Sequence, residues 1–259
     1  MRCPEEIRRG VESAREVPAT LPVVVELASL RLPGTKDLSL TGVGLKIDFG
    51  KITVLSGASL SGKTILAETI AGLHELCAGR VLFSGVDLRQ IPVDDLRRLI
   101  AFVPQAPAFF YGTIWQNFEL AAPSADPEQV RQVLEETRVR DEIEALPDGL
   151  DTRLTVEVSS TLPYELKQGL SIARALLQPG PVRIFEHPAE GFDHRHARRI
   201  RATIARRRST SATLLLSNHP EDLALGDYFS VLHRGRLMLN GNGNKGREKV
   251  TAYLSEYSG

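Results

Sequence analysis

A short glycine-containing segment constrains this chain more than any other part of its sequence. Residues 57–64 read Gly-Ala-Ser-Leu-Ser-Gly-Lys-Thr, which fits the pattern G-x-x-x-x-G-K-[ST]. The β-rich run Ile52–Leu55 precedes the segment, and the apolar run Thr64–Leu73, with helical character, follows it. This order predicts a strand, a tight turn and a helix whose positive end faces the turn. The alternative is an ordinary glycine turn with a surface lysine, which the spacing and the context both disfavour.

Such a turn binds phosphate, because glycines let backbone N–H groups curl around the phosphate oxygens. The side chain of Lys63 would reach the outer phosphates, and the hydroxyl of Thr64 would ligate Mg²⁺. We therefore predict a nucleotide site with the following contact residues: Gly57, Ala58, Ser59, Leu60, Ser61, Gly62, Lys63, Thr64 and Ile65. The motif does not by itself distinguish one family of phosphate-loop proteins from another.

Strand-like runs alternate with helical segments along the chain, which predicts an α/β core with parallel strands. The predicted strands are Val23–Leu27, Gly44–Phe49, Lys51–Leu55, Gly79–Gly85, Ile100–Val103, Val182–Phe185, Ala212–Ser217 and Tyr228–His233. Between them, Thr113–Gln178 is mostly helical in pattern and is interpreted as an inserted lobe. The glycines in Gly241–Gly246 indicate a short flexible turn.

The composition is that of a globular protein without a strong preference for a charged partner. Lysine plus arginine and aspartate plus glutamate number 32 each, so net charge gives no attraction to nucleic acid or to an anionic membrane. Two cysteines, Cys3 and Cys77, are too few for a disulfide framework, which favours a reducing, cytosolic setting. No apolar run approaches the roughly 18–20 residues of a membrane helix, and Met1–Gly10 lacks the apolar stretch of a signal peptide.

Further landmarks in a fixed order make the chain resemble the nucleotide-binding domains of ATP-binding-cassette (ABC) transporters. They cover roughly residues 22–240 and are Ile100–Gln105, Phe110–Asn117, Gly149–Thr152, Ile172–Leu177, Pro188–Asp193 and Asn218-His219. Phe110–Asn117 is similar to the stretch found in exporter-type cassettes. The resemblance implies a phosphate-loop NTPase fold, with a RecA-like core of mixed sheet (22–104 and 180–245) and a helical subdomain (105–179). A flexible lead-in (1–21) and a tail or helix (246–259) are expected to flank this domain.

The family resemblance also implies roles, cofactors and partners. Gln105 sits where the family's glutamine contacts Mg²⁺ and the attacking water, and His219 sits at the switch histidine. Thr64, Gln105 and Glu186 are the expected metal ligands, and ATP with Mg²⁺ is the expected nucleotide. Two cassettes are expected to pair head to tail on a transmembrane subunit or domain. This places the chain at the cytoplasmic face of the inner or plasma membrane, with no nucleic acid as partner.

Two departures from the family pattern concern hydrolysis. Where the family has Asp-Glu-Pro, this chain has Glu186-His187-Pro188, so a histidine replaces the general base. A neutral imidazole, with a reference pKa of ~6.5, can accept a proton but carries no negative charge near neutral pH. Where the family has the signature Leu-Ser-Gly-Gly-Gln, this chain has Leu-Pro-Tyr-Glu-Leu at 162–166. Pro163 has no N–H to donate, and Glu165 brings a negative charge toward a triphosphate.

Smaller features complete the comparison with the family. Leu60 replaces a glycine that is usual in the loop, and Leu32 replaces an aromatic residue that stacks on adenine. His194 and His196 are two apart on a predicted helix and so point to different sides, which disfavours a metal site with His187. The basic run 198–208 is interpreted as a solvated helix face, although lipid headgroups or nucleic acid are alternatives.

The sequence thus predicts an ATP-binding cassette with weak or absent hydrolysis. Two other interpretations remain open: an active motor in which His187 is the base, and a regulatory cassette that serves as a non-hydrolysing scaffold. Catalytic roles are assigned on this basis to Gln105, His219, His187 and Glu186.

Overall fold

The computed structural model describes residues 22–32 and 39–257. Its strands are β1 (Val23–Leu30), β2 (Leu40–Ile47), β3 (Ile52–Ser56), β4 (Ala78–Phe83), β5 (Val86–Asp87), β6 (Ile100–Val103), β7 (Gly112–Thr113), β8 (Arg153–Leu154), β9 (Val182–Glu186), β10 (Ala212–Leu216), β11 (Tyr228–His233) and β12 (Arg236–Asn242). Its α-helices are α1 (Lys63–Ile70), α2 (Val93–Leu99), α3 (Ile114–Ala121), α4 (Pro127–Glu136), α5 (Arg140–Glu144), α6 (Val156–Thr161), α7 (Tyr164–Leu177), α8 (His194–Arg207), α9 (Pro220–Leu223) and α10 (Gly243–Tyr257). The predicted lead-in, residues 1–21, lies outside the described residues.

The chain divides into two compact units. Among the described residues, the first comprises 22–32, 39–100, Pro181–Ile184 and 208–257, and the second comprises Ala101–Gly180 and Phe185–Arg207. The division into a core (22–104 and 180–245) and a helical subdomain (105–179) stays a prediction.

The first unit contains an antiparallel sheet in the order β2-β1-β4-β5, and a second sheet in the order β12-β11-β3-β10 followed by the start of β9. In the second sheet, β3 pairs in parallel with β10 and β11, whereas β11 pairs antiparallel with β12. All residues of β3 and β10 are buried, as expected for strands covered on both faces. The sheet is therefore mixed, and the predicted α/β fold class is correct.

The second unit is mainly helical, and its helix starts are specified by local sequence. Capping boxes begin α3 at Thr113 with Gln116 and α4 at Asp126 with Gln129. Four apolar residues recur at helical spacing along α7: Leu166, Leu170 and Ala173 are buried, and Leu177 at its end is half-buried. In α8, Arg201 is buried, while Arg206 and Arg207 pair with Glu136, so the basic run is only partly a solvated face.

One expectation from the sequence is wrong. Gly241–Gly246 is not a flexible turn, because β12 extends to Asn242 and α10 begins at Gly243. Cys77 is disulfide-bonded. Across residues 22–32 and 39–257, no helix combines the length and the apolar character that crossing a bilayer requires.

Candidate nucleotide-binding site

The phosphate loop follows β3 directly. Hydrogen bonds to Ser217 and Asn218, which follow β10, fix the start of the loop. The hydroxyl of Ser56 donates to the carbonyl of Ser217 at 2.7 Å. Asn218 makes a reciprocal pair with Gly57: its Oδ1 accepts from the backbone N–H at 3.1 Å, and its Nδ2 donates to the carbonyl at 2.9 Å. Because β10 lies beside β3 in parallel, the residues that follow both strands meet at one sheet edge.

Two positions in the loop require glycine for steric reasons. Gly57 has φ 148°, and a Cβ there would overlap the carbonyl oxygen of Leu232. Gly62 has φ 102°, and its Cβ would lie 3.2 Å from Leu40 Cδ2 and 3.3 Å from the carbonyl oxygen of Ser39. The two fixed glycines of the motif therefore match the backbone that the loop adopts.

Lys63 is the first residue of α1, and its ammonium group is held by the loop itself. Its Nζ donates to the carbonyls of Gly57 at 2.7 Å and Ala58 at 3.0 Å, and the residue is only 9% exposed. In the described part of the chain, the amides of Ser59, Leu60 and Gly62 donate no hydrogen bond. A buried cation, loop amides without acceptors and the N-terminus of a helix together fit the charge and donor pattern that a phosphate group needs.

The remaining predicted contact residues differ in exposure. Ser61 is buried, Thr64 is exposed in the first turn of α1, and Ile65 is half-buried. Leu60 has φ 61° and a fully exposed side chain. A leucine with positive φ is strained, since left-handed backbone costs an L-residue with a Cβ roughly 1–2 kcal/mol. Leu32, predicted to replace an aromatic stacking residue, is half-buried.

His219 caps α9, and this fixes its backbone and one ring nitrogen. Its Nδ1 accepts from the N–H of Glu221 at 3.3 Å, and its own N–H donates to Ser217 Oγ at 3.0 Å. The hydroxyl of Ser217 in turn donates to the buried carboxylate of Asp222 at 2.6 Å. The imidazole is exposed at the end of a strand, in the same unit as the phosphate loop.

The second unit brings Glu186 and Gln105 together. Glu186 ends β9 and is only 5% exposed, and its Oε2 accepts from the backbone N–H of Gln105 at 3.3 Å. Two contacts of Gln105 were not anticipated. Its Nε2 donates to Glu190 Oε2 at 2.8 Å, and its carbonyl accepts from the hydroxyl of Tyr164 at 3.0 Å.

His187 adopts φ 46°, so the residue in the place of the general base has left-handed backbone. It is half-buried, and its carbonyl accepts from the N–H of Glu190 at 3.0 Å. Histidine tolerates this conformation better than bulky or β-branched residues do. A base that acts by proton abstraction needs its imidazole nitrogen within hydrogen-bond reach of the reacting water.

The residues in the place of the signature begin α7. Pro163 is the residue before its first turn, so the missing N–H of proline costs the helix nothing there. Glu165 is exposed, and Tyr164 is half-buried. The ring of Tyr164 lies against Gly191, where a Cβ would be 2.7 Å from Tyr164 Cδ1. The tyrosine is therefore turned toward its own unit.

The histidines of this region do not assemble with other ligand groups. In the residues that the structure describes, no three His, Cys, Asp or Glu side chains come close enough to hold a metal ion. His196 instead hydrogen-bonds the carbonyl of Thr137 at 2.7 Å through Nε2.

Sequence comparison identifies relatives of the whole region described above. The family model described as ABC transporter matches residues 40–190. The chain is 31% identical over 231 residues to an ATP-dependent lipid A-core flippase of Chromobacterium violaceum, covering 89% of this chain and 39% of that protein. It is 31% identical over 199 residues to the mycobactin import ATP-binding/permease protein IrtA of Mycolicibacterium smegmatis, covering 77% of this chain and 23% of that protein.

A solved structure shows the same fold. A bacterial Atm1-family ABC exporter with ATP bound superposes with a TM-score of 0.82 at 23% identity, covering 96% of this chain and 45% of that one. The chain thus spans less than half the length of each of these relatives. Because the family match extends over more than half of the chain, it belongs to the ABC transporter family, in which it is a nucleotide-binding domain.

Proposed function

We propose that the chain binds Mg-ATP through Gly57–Ile65 and hydrolyses it slowly or not at all. The observation that carries the binding proposal is the loop around Lys63: a buried ammonium group, amides without acceptors and a helix N-terminus converge on one place. Thr64 would provide a hydroxyl for Mg²⁺, and Gln105 and Glu186 are proposed as the other metal-binding residues. Mg²⁺ held by these residues would supply positive charge to neutralise the negative charge that develops on the phosphate oxygens.

The proposal of weak hydrolysis rests on Glu186 and His187. Glu186 keeps a carboxylate but is one methylene longer than the family's aspartate. His187 offers no permanent negative charge, and its φ of 46° differs from the extended backbone that normally continues a strand. A positioned base contributes roughly 10²–10⁴-fold to a reaction rate, and most of that contribution is expected to be lost. His219, in the switch position, would then lack the carboxylate partner of the family, because His187 stands in its place.

We also propose that the chain works with a membrane partner, as an exporter-type cassette. Support comes from relatives named as a flippase, as an import ATP-binding/permease protein and as an exporter. In the second unit, Phe110 and Tyr111 of the exporter-like stretch are 61% and 74% exposed, which is unusual for large apolar side chains and fits a covered surface. We further propose that the chain pairs with a second cassette, identical or different, and lies at the cytoplasmic face of the membrane. The different cargoes in the relatives' names give no basis for naming a substrate.

Calorimetry with Mg-ATP tests the binding proposal directly. The wild type is expected to bind with a dissociation constant between about 1 µM and 1 mM. Lys63→Ala is expected to abolish binding, because it removes the only ammonium group that the loop holds among the described residues. Lys249→Ala, which removes an exposed lysine of α10, is the matched control and should bind as the wild type does.

The outcomes separate the three interpretations. An absence of ATP binding by the wild type, or equal binding by Lys63→Ala, would leave a scaffold that does not use nucleotide. Binding without turnover supports the proposal. Robust turnover would support a motor instead, with His187 as its base.

A further inference from the structure

Gln105 is bonded through three of its four polar groups, all within the second unit. Its backbone N–H donates to Glu186, its carbonyl accepts from Tyr164, and its side-chain Nε2 donates to Glu190. Only the side-chain oxygen Oε1 is left over from this set. Loops are usually more mobile than the elements they connect, so hydrogen bonds at both the backbone and the side chain restrain this residue more than its position in a loop would suggest.

The bond from Tyr164 depends on a close approach between its ring and the chain. Gly191 has φ 82°, and any side chain there would meet the ring at 2.7 Å. The half-buried ring therefore lies directly on the backbone next to Glu190. Burial, and then the charges of Glu190 and Glu165, raise the pKa of Tyr164, so the phenol remains protonated and able to donate.

An open cavity beside this group gives Gln105 room to move. It has a volume of about 370 Å³ and is lined by Gln105, Ala106, Pro107, Tyr164, Lys167 and Glu190. The observed position of Gln105 is therefore not forced by close packing. Its position is instead held by hydrogen bonds: the backbone N–H is bonded to Glu186, and Tyr164 and Glu190 hold the carbonyl and the side chain.

We propose that Tyr164 and Glu190 are positioning residues that clasp Gln105 and immobilise the loop Gln105–Pro107. This inference rests on the proposed function for its consequence: the clasp would keep the loop from responding to nucleotide. Tyr164 begins α7, in the place of the signature, and Glu190 lies four residues after Glu186, the last residue of β9. Two side chains from separate parts of the chain therefore act on the same glutamine.

Hydrogen exchange at the backbone amide of Gln105, which is bonded to Glu186, measures the clasp without requiring hydrolysis. Tyr164→Phe removes one hydroxyl and keeps the ring, and Glu190→Ala removes the acceptor for Nε2. Without nucleotide, each is expected to accelerate exchange roughly 3- to 10-fold, since each loses one hydrogen bond that resists local opening. Glu190→Gln retains a neutral acceptor and should show a smaller change. Glu142→Ala, on the exposed side of α5 in the same unit, should exchange as the wild type does.

Addition of Mg-ATP provides the measurement that a merely structural role would not change. In the wild type, exchange at Gln105 is expected to stay within about 2-fold, whereas in Tyr164→Phe and Glu190→Ala it should become nucleotide-dependent. Wild-type rates in both variants without nucleotide, or a large response of the wild type to Mg-ATP, would overturn the clasp. If calorimetry finds no ATP binding but the variants still exchange faster, the clasp stands and the proposed function falls.

Discussion

At the scale of single residues, the phosphate loop contains one strained backbone position, Leu60, whose strain a substitution could relieve. Leu60 has φ 61° and a side chain wholly exposed to solvent, so its backbone is strained and its side chain stabilises nothing by burial. Left-handed backbone costs a leucine roughly 1–2 kcal/mol, and glycine costs roughly 0.5–1 kcal/mol in conformational entropy. Leu60→Gly is therefore expected to raise the free energy of unfolding by roughly 0–1.5 kcal/mol, the range of the difference between these two costs.

Urea unfolding of Leu60→Gly beside Leu66→Ala makes this comparison. Leu66 is fully buried in α1, and its truncation should lower the free energy of unfolding by about 2–5 kcal/mol. A loss of more than about 1 kcal/mol in Leu60→Gly would mean that the leucine packs in solution, contrary to its exposure.

At the scale of secondary-structure elements, Glu136 links the end of α4 to the end of α8 within the second unit. Its carboxylate meets Arg207 at 2.8 Å and Arg206 at 3.4 Å. Burial alone would raise the pKa of Glu136, but the hydrogen bond and charge of Arg207, followed by Arg206, lower it below its ordinary value. A carboxyl group with a depressed folded-state pKa stabilises the fold above its unfolded pKa, and this contribution disappears as the pH falls through the folded pKa.

The resulting pH dependence is measurable with Glu136→Gln. At pH 7 the substitution is expected to lower the free energy of unfolding by about 1 kcal/mol, the upper value for surface ion pairs, because the Glu136 side chain is only 12% exposed. The difference from wild type should begin to shrink near pH ~4.3, the ordinary glutamate value, and vanish at lower pH. Glu135→Gln is the control, because Glu135 is 62% exposed and, in the part of the chain that the structure describes, pairs only with Arg140, at 3.6 Å. A difference that persists unchanged below the folded pKa would show that the charge of Glu136 is not what stabilises this contact.

Sequence predicts elements well where the signal is local. The bounds of β6 and β11 agree with the predicted runs, and the phosphate loop lies between the predicted strand and helix. The failure at Gly241–Gly246 has a specific cause. A Cβ on Gly241 would lie 2.7 Å from Gly246 Cα, so these glycines allow close approach between β12 and α10. Glycine has the same signature in a sequence whether it provides flexibility or close packing, and the pattern alone could not distinguish them.

The candidate site shows the same limit. Gln105 and Glu186 were predicted through their resemblance to a family, but nothing in the sequence signalled a joint role for Tyr164 and Glu190. They lie 59 and 85 residues from Gln105 in the chain. Contacts over such separations follow from tertiary structure, which local periodicity does not encode.

At the scale of the whole molecule, the departures in this chain matter most for an assembly of two cassettes. In the dimer that the family resemblance implies, each ATP lies between the phosphate loop of one chain and the signature of the other. A homodimer would therefore combine Glu186-His187 with the sequence 162–166 at both sites. If this chain pairs with an intact cassette, one site would contain Glu186-His187 of this chain. The other site would contain its altered signature, 162–166. No pairing produces a fully intact site, because both departures lie in one chain.

We therefore expect turnover at least ~10²-fold below that of an ordinary cassette, alone or with its partner, from the missing base alone. The assay compares the wild type with Glu186→Asp/His187→Glu, with a repair of 163–166 to Ser-Gly-Gly-Gln, and with both repairs combined. In the homodimer, the combined repair should raise turnover most, since each site then regains both halves. Either repair alone should leave every site with one defect. Robust wild-type hydrolysis that is lost in His187→Ala would contradict this expectation, because it would make the imidazole of His187 a working general base despite its left-handed backbone.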